Sequence, residues 1–139
     1  QSCNSSLFKY ISRMESNVMA LLSDVIGDQV GSLNTYKTGR LDLGSRSGAV
    51  NLDLSLSNDF TCTVTANTTF TITNTPATGV VSFSLQLTGG GAYTITFANA
   101  KYPGATAPSL TSGGIDVITF ITYDNGTNWR GSIAMKDSR

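Results

Sequence analysis

The aspartates are the side chains of this sequence with the clearest potential for chemistry. Those after residue 40 stand singly among predicted strands and turns, at Asp42, Asp53, Asp59, Asp116, Asp124 and Asp137. Two of them, such as Asp53 and Asp116, would act on a glycosidic bond if a sheet brought their carboxyl groups together. The chain has no histidine, the commonest general base, and no Gly-x-Ser-x-Gly motif. Because isolated aspartates in turns are far commoner than catalytic pairs, we expect no enzymatic activity.

Metal and cofactor sites have equally little support in the sequence. Asp116, Asp124 and Asn125 offer oxygen ligands for calcium, but no loop has the spacing of an EF-hand. Cys62 falls at an inward position of a predicted strand, where a free thiol packs as a small apolar side chain. A disulfide between Cys62 and Cys3 is the alternative. We therefore expect no metal and no cofactor.

Ligand recognition is a more plausible chemistry than catalysis. We expect a surface-recognition loop that contains Lys101, Tyr102, Asn125 and Asn128, where a flat ring beside amides is suited to hold a sugar. The alternative is that Tyr102 and Trp129 fasten the long loop at 98–114 to the sheet. Trp129 lies on the inward side of its strand, which favours the second role for that residue, whereas both roles stay open for Tyr102.

The charge of the chain excludes some classes of partner. Charged residues make up 13% of the sequence, the formal net charge is zero, and no Lys or Arg occurs from Ser47 to Ala100. Nucleic acids and anionic membranes attract proteins with clustered positive charge, so we expect neither as a partner. The sequence has no apolar run of the length that a transmembrane helix needs, so we expect no membrane insertion.

Alternation of apolar and polar residues predicts β structure from residue 49 to the end. Within Val50–Pro76 it predicts three short strands joined by tight turns at Ser57–Asp59 and Asn67-Thr68, with Leu56 and Ala66 on the buried face. Further alternation predicts a hairpin of 81–87 with 93–97, a buried strand at 115–123 and a last strand from Trp129 to Met135. Asn125-Gly126 favours a type I′ hairpin turn. About seven strands at this spacing indicate an antiparallel β-sandwich or barrel.

The N-terminal part contains the one helical pattern, from Leu7 to Ile26. Its apolar residues follow an unbroken heptad spacing: Leu7, Ile11, Met14, Val18, Leu21 and Val25. This spacing predicts a short parallel coiled-coil stalk, and an amphipathic helix packed on its own domain is the alternative. We expect three parts: an oligomerising or anchoring helix at 1–27, an extended neck at 28–48 with one short strand near Arg40–Leu43, and an antiparallel β domain at 49–139.

Four motifs of the β region carry a resemblance to a known family. They are Leu52-Asp53-Leu54-Ser55, the loop Lys101–Pro108, Asp116-Val117, and the hairpin Asp124–Gly131. Residues 49–133 resemble a C-terminal β domain found in many tailed-bacteriophage virion proteins. In that family the loop reads Lys-aromatic-Pro-Gly-Gly-Thr-Ala-Pro and the hairpin Asp-Gly-Gly-Thr-x-Trp-x-Gly. This chain departs from the pattern with Ala105 and Asn125 in place of glycines and with Tyr102 in place of the usual Trp.

The resemblance implies a structural virion component, typically a homotrimeric fibre, tail or head appendage at the particle surface. Its partners would be copies of itself and other phage virion proteins, and the predicted recognition loop adds a host cell-surface glycan. A capsid decoration or cement protein that stabilises the head is one alternative. A carbohydrate-binding module is another, although the heptad spacing favours the two virion roles.

Overall fold

The computed structural model describes residues 39–139, and this part of the chain is mainly β. Its seven strands are β1 (Arg40–Asp53), β2 (Asp59–Thr73), β3 (Val81–Thr88), β4 (Ile95–Phe97), β5 (Ala100–Lys101), β6 (Ile115–Thr122) and β7 (Trp129–Met135). Two single-turn 3₁₀ helices occur at Gly90–Ala92 and Pro103–Ala105. The predicted class and strand number are confirmed. The predicted helix and its heptad residues lie outside the described residues.

All seven strands belong to one curled sheet of mixed direction. The neighbours follow the order β1-β2-β3-β6-β7-β5, and β4 pairs with β2. Among the strand pairs of residues 39–139, β3–β6 and β6–β7 are antiparallel, whereas β1–β2, β2–β3, β2–β4 and β5–β7 are parallel. The expectation of a wholly antiparallel sheet is therefore wrong, and so is the predicted hairpin of 81–87 with 93–97. Alternation specifies which face a side chain occupies but not the direction of the neighbouring strand.

The parallel pairs among β1 to β4 arise because the chain returns to the same end of the sheet before it begins the next paired strand. Arg40 pairs with Asp59 at one end of β1, and Asp53 pairs with Thr73 at the other end. A straight strand as long as β1 would span roughly 45 Å, while the five linking residues 54–58 reach at most about 20 Å. β1 must therefore bend back on itself before β2 begins.

Glycines supply the bends of β1. Its register against β2 shifts between Asp42 and Ser45 and again between Arg46 and Gly48. Gly44 and Gly48 have φ values of 67° and 71° at these two places. This left-handed conformation is open to glycine without steric cost and interrupts a regular strand. The strand predicted near Arg40–Leu43 thus continues through both bends, and residues 40–48 belong to the sheet.

The predicted break at Asn67-Thr68 is not a turn, since β2 passes through it without reversing. Thr68 is buried in phase with Val64 and Phe70 and donates its hydroxyl to the carbonyl of Ala66 at 2.9 Å. The side-chain oxygen of Asn67 accepts a hydrogen bond from the backbone amide of Thr94. The polar residues of the predicted break thus form hydrogen bonds within the sheet, and Ala66, which was predicted on the buried face, is exposed.

The core lies on one face of the curled sheet and follows the predicted alternation. Cys62 is buried there as a free thiol, and Trp129 is 1% exposed, as its position in the pattern predicted. Leu56, by contrast, was predicted on the buried face but is 67% exposed, because β1 ends before it in a turn. Fifteen apolar residues form the buried cluster: Val50, Leu52, Leu54, Phe60, Cys62, Val64, Phe70, Val81, Phe83, Leu85, Leu87, Phe97, Ile118, Phe120 and Trp129.

Aromatic rings in contact connect the parallel strands β2 and β4 with the antiparallel strands β3 and β6. Phe70 and Phe97 are paired in register and stack with ring centroids 5.0 Å apart. Phe97 in turn lies 4.8 Å from Phe120 of β6, which stacks on Phe83 at 5.1 Å. Such ring pairs contribute roughly 0.5–1.5 kcal/mol each beyond their area of burial.

Gly131 is needed for the position of Phe120. The two residues are paired in register, and a Cβ atom on Gly131 would lie 2.7 Å from Cδ1 of the Phe120 ring and closer still to Cε1. We expect Gly131→Ala to lower the free energy of unfolding by about 1–3 kcal/mol, because the ring must move in a packed core. Chemical denaturation measures the change.

Gly113→Ala is the matched control, since a Cβ atom at Gly113 would meet nothing within 4 Å. Its effect should stay within about 0.5 kcal/mol. Equal stabilities of the two variants would contradict the role assigned to Gly131.

Candidate functional site

A surface groove of about 680 Å³ lies beside β5, β6 and β7. Its volume falls in the range of roughly 300–1,000 Å³ that is typical of small-ligand sites. The 3₁₀ turn after β5 forms one wall, and the hairpin between β6 and β7 forms the other. The residues that provide its main chemical groups are Lys101, Tyr102, Ile121, Asn128, Arg130 and Ser132.

The register of three strands brings two positive charges to this groove. Lys101 pairs with Arg130 in the parallel β5–β7 ladder, and Arg130 pairs with Ile121 in the antiparallel β6–β7 ladder. Residues paired in register project from the same face of a sheet. Trp129 is buried on the other face, and its amide donates to the carbonyl of Asn99 at 2.9 Å, which fixes β5 beside β7.

Within residues 39–139, neither of these cations forms a salt bridge. The salt bridge of this part of the chain joins Arg139 to Asp137, and neither residue lines the groove. Lys101 and Arg130 are both exposed. The charge of Arg130 is felt by Asp124 in the hairpin turn, where it helps to lower the carboxyl pKa. Lys101 and Arg130 thus remain without a salt bridge in the described part of the chain.

Asp124 anchors the hairpin wall of the groove. Its carboxylate accepts hydrogen bonds from the Asn128 side chain at 2.8 Å, from the Asn128 backbone amide at 2.9 Å and from the Thr122 hydroxyl at 2.9 Å. These bonds, the Asn128 side chain first, lower the pKa of Asp124 to about 2. The Thr122 hydroxyl also accepts a hydrogen bond from the amide of Gly126. Hydrogen bonds to Thr122, before the turn, and to Asn128, after it, therefore hold the turn in place.

Tyr102 combines the two roles that the sequence left open. Its ring centroid lies 6.4 Å from that of Phe120, and the side chain packs against the core while it also lines the groove. Partial burial raises the pKa of its phenol. The carbonyl of Tyr102 accepts a hydrogen bond from the amide of Ala105 at 3.0 Å, which closes the turn at Pro103 and Gly104. Tyr102 thus fastens the loop and presents its ring to the groove.

Three of the four residues of the predicted recognition loop line the groove: Lys101, Tyr102 and Asn128. Asn125 does not line it. That residue is at the tip of the hairpin with φ of 56°, followed by Gly126 at 84°, which are the positive values that a type I′ turn requires. Sequence reasoning missed Arg130 and Ser132. Their outward position follows from the inward position of Trp129, but the β5–β7 pairing has no signal in the sequence.

The other aspartates of the sequence motifs bind neighbouring backbone and side chains. Asp116 is fully buried and accepts hydrogen bonds from the Thr111 amide at 2.6 Å and from the Asp137 amide at 3.0 Å. Burial opposes its ionisation, but these bonds outweigh burial and its pKa lies below the ordinary value. Asp53 accepts bonds from Ser55 and Asn74, which lower its pKa. The strands of Asp53 and Asp116 are separated by β2 and β3, and each carboxylate has its own partners.

The described residues bring together no group of three or more acidic or cysteine side chains of the kind that holds a metal ion. Over the same residues, no helix has the length and apolar character that crossing a membrane requires. Comparisons of the chain with models of protein families, with curated proteins and with solved structures find no match.

The Asp124 carboxyl should titrate with a pKa of about 2, below the ordinary aspartate value of 3.8. Its hydrogen bonds therefore stabilise the folded chain fully above pH 3.8, and this stabilisation is lost as the pH falls towards 2. Because the Asn128 side chain is the largest cause, Asn128→Ala should move the pKa towards 3.8. Carbon NMR of the carboxyl group measures both values.

Thr127→Ala is the control for this titration. Thr127 lies in the same turn, but its hydrogen bond to Asp124 runs between backbone atoms only. The Thr127→Ala substitution should therefore leave the pKa of Asp124 unchanged. A wild-type value near 3.8 would contradict the geometry of the turn.

The backbone at Ala105 predicts a substitution that stabilises the protein, whereas Gly131→Ala should destabilise it. Ala105 has φ of 58°, a left-handed conformation that costs a residue with a Cβ atom roughly 1–2 kcal/mol. We expect Ala105→Gly to raise the free energy of unfolding by about 0.5–1 kcal/mol, since glycine adopts this conformation freely but loses more entropy on folding. Ala66→Gly, at an exposed position inside β2, should lower it by a similar amount. Thermal and chemical denaturation compare the two variants, and equal signs would refute the prediction.

Proposed function

We propose that this protein is a structural component of a bacteriophage virion, a homo-oligomeric appendage that presents its β domain at the particle surface. The resemblance of residues 49–133 is the starting point. The observation that carries the proposal is the backbone at Ala105 and Asn125, where the resembling domains have glycine. Both residues adopt a positive φ, 58° and 56°. Glycine adopts that conformation most freely, so a backbone of this shape accounts for the glycines of the pattern.

The motif aspartates support the proposal, because each has an architectural use. Asp53 binds the turn after β1, Asp116 binds the loop before β6, and Asp124 binds the hairpin turn. Motif residues that serve backbone geometry in this way are typical of a protein that acts through its shape and its surface. We accordingly propose binding and assembly, and not catalysis, as the activity of the chain.

The heptad residues complete the proposal, although they lie outside the described residues. A parallel coiled coil formed by Leu7, Ile11, Met14, Val18, Leu21 and Val25 would join the chains of one appendage. The number of chains, three, is what the resemblance implies. Three heptads are marginally stable alone, so the β domains would have to contribute to the same assembly. Other virion proteins would then hold the trimer on the particle.

The groove gives the appendage a surface with which to contact the host. Its ring, amide and hydroxyl groups are those that hold a sugar, so a host cell-surface glycan is the partner we propose for it. The same groove favours a carbohydrate-binding module as the second candidate function. The hydroxyl-rich outward side chains of the strands would suit a cement protein on the head, which remains the alternative position in the virion.

Purified particles test the proposal directly. Mass spectrometry of gradient-purified phage that encode this chain should detect it as a virion protein. Gold-labelled antibodies against residues 39–139 should mark an appendage in electron micrographs. Labelling spread over the head would favour the cement alternative, and absence of the chain from the particles would overturn the proposal.

The oligomeric state is the companion measurement to particle labelling. Light scattering of the purified full chain should give the mass of a trimer. The double variant Ile11→Asp, Val18→Asp should give the mass of a monomer, because both changes put charge into the heptad core. A matched variant with Ser12→Asp and Ser16→Asp, outside the six heptad residues, should remain a trimer. A monomer in the wild type would remove the stalk from the proposal.

A further inference from the structure

We infer that the groove binds an anionic saccharide and holds its acidic group between Lys101 and Arg130. This inference rests on the proposed function, since it specifies the class of glycan that the particle surface would meet. The two cations are paired in register on neighbouring strands, whose backbones lie about 4.8 Å apart. Both side chains therefore project from the same face of the sheet into the groove, where one carboxylate would be able to contact both.

The electrostatic state of the groove favours a negatively charged ligand. Two like charges on paired residues repel each other, and the described part of the chain offers neither of them an ion pair. Asp124 is the acid whose pKa responds to Arg130, but its oxygens already accept hydrogen bonds from Asn128 and Thr122. A bound carboxylate would relieve the repulsion, and the planar guanidinium of Arg130 is able to hold it with two parallel hydrogen bonds.

The uncharged groups of the groove match the rest of a sugar. The Asn128 side chain donates one amide hydrogen to Asp124, and its carbonyl oxygen would accept a hydrogen bond from a ligand hydroxyl. Ser132 adds a hydroxyl that is able both to donate and to accept. Tyr102 and Ile121 supply apolar surface on which the C–H face of a pyranose ring would pack. Because Asp124 holds the hairpin wall in place, little ordering would be needed on binding.

The charge distribution disfavours a nucleic acid as the occupant. A nucleic acid strand carries one phosphate per nucleotide and is held by rows of cations along its length. The groove contains two cations, and the chain as a whole has zero formal net charge. A free phosphate ion would fill a small part of a volume of about 680 Å³ and would not use the apolar walls. An acidic sugar uses the charged, polar and apolar parts together.

Titration of the full, nitrogen-15-labelled chain with charged and neutral saccharides tests the inference. The probes are 3′-sialyllactose with lactose as its neutral partner, and trigalacturonate with maltotriose as its neutral partner. At least one acidic probe should shift the amide signals of Asn128 and Ser132 at ligand concentrations up to about 10 mM, above the Kd of a weak contact. Its neutral partner should bind roughly tenfold more weakly or not at all, because a charged hydrogen bond is lost.

Charge variants connect the binding to these two residues. Lys101→Gln and Arg130→Gln should each weaken binding of the acidic probe roughly tenfold. Lys136→Gln is the matched control and should leave binding unchanged, since the Lys136 ammonium donates to the Ser109 hydroxyl at 2.7 Å and does not line the groove. Tyr102→Ala tests the apolar wall, and circular dichroism verifies that each variant is folded.

Several results would overturn the inference. They are the absence of signal shifts with both acidic probes, equal affinity for a neutral partner, and unchanged affinity in both charge variants. Tighter binding of a ten-nucleotide oligothymidylate at the same signals would assign the groove to nucleic acid instead. A chain found on phage particles that binds no acidic sugar would overturn this inference alone. A chain that binds the sugar but is absent from particles would overturn the virion proposal alone.

Discussion

The packing of Phe97 against Phe120 is the contact on which the rest of the structure depends. Phe97 belongs to the part of the chain that winds around in parallel, whereas Phe120 belongs to the antiparallel β6–β7 hairpin. Their contact joins a region of parallel strands to a region of antiparallel strands. Phe120 also requires the missing side chain of Gly131 on one side and approaches the ring of Tyr102 on the other. The position of one ring therefore links the core to the wall of the groove.

Buried or bonded carboxylates replace ion pairs as the polar connections of this domain. Asp53, Asp116 and Asp124 each accept three hydrogen bonds from neutral donors in loops or turns. Hydrogen bonds to a charged acceptor are about twice as strong as those between neutral groups. Three of the six aspartates within residues 39–139 thus serve as hydrogen-bond acceptors for neighbouring loops and turns. In the same part of the chain Lys101 and Arg130 are exposed and form no salt bridge.

The sequence predicts the faces of the strands better than their neighbours. Alternation correctly placed Trp129 in the core, and the Asn125-Gly126 pair correctly predicted the hairpin turn, because both signals are local. Parallel winding was missed, since its cause lies in two glycine bends of β1 and in pairings between distant residues. The sequence likewise predicted some of the residues that line the groove and missed others. Lys101, Tyr102 and Asn128 belong to recognisable motifs, whereas Arg130 joins them through the β5–β7 register.

The winding of the chain also constrains the order in which its contacts are able to form. Hairpin β6–β7 closes through the short turn at Asp124–Thr127, so its first contacts cost little chain entropy. A parallel pair such as Arg40 with Asp59 joins residues that are distant in the sequence. The chain must therefore lose the entropy of closing a longer loop before the pairing is able to stabilise it. The C-terminal hairpin is consequently the cheapest place for folding to begin. During synthesis β1 to β4 leave the ribosome before β6 and β7, so they emerge before the surface that completes their core.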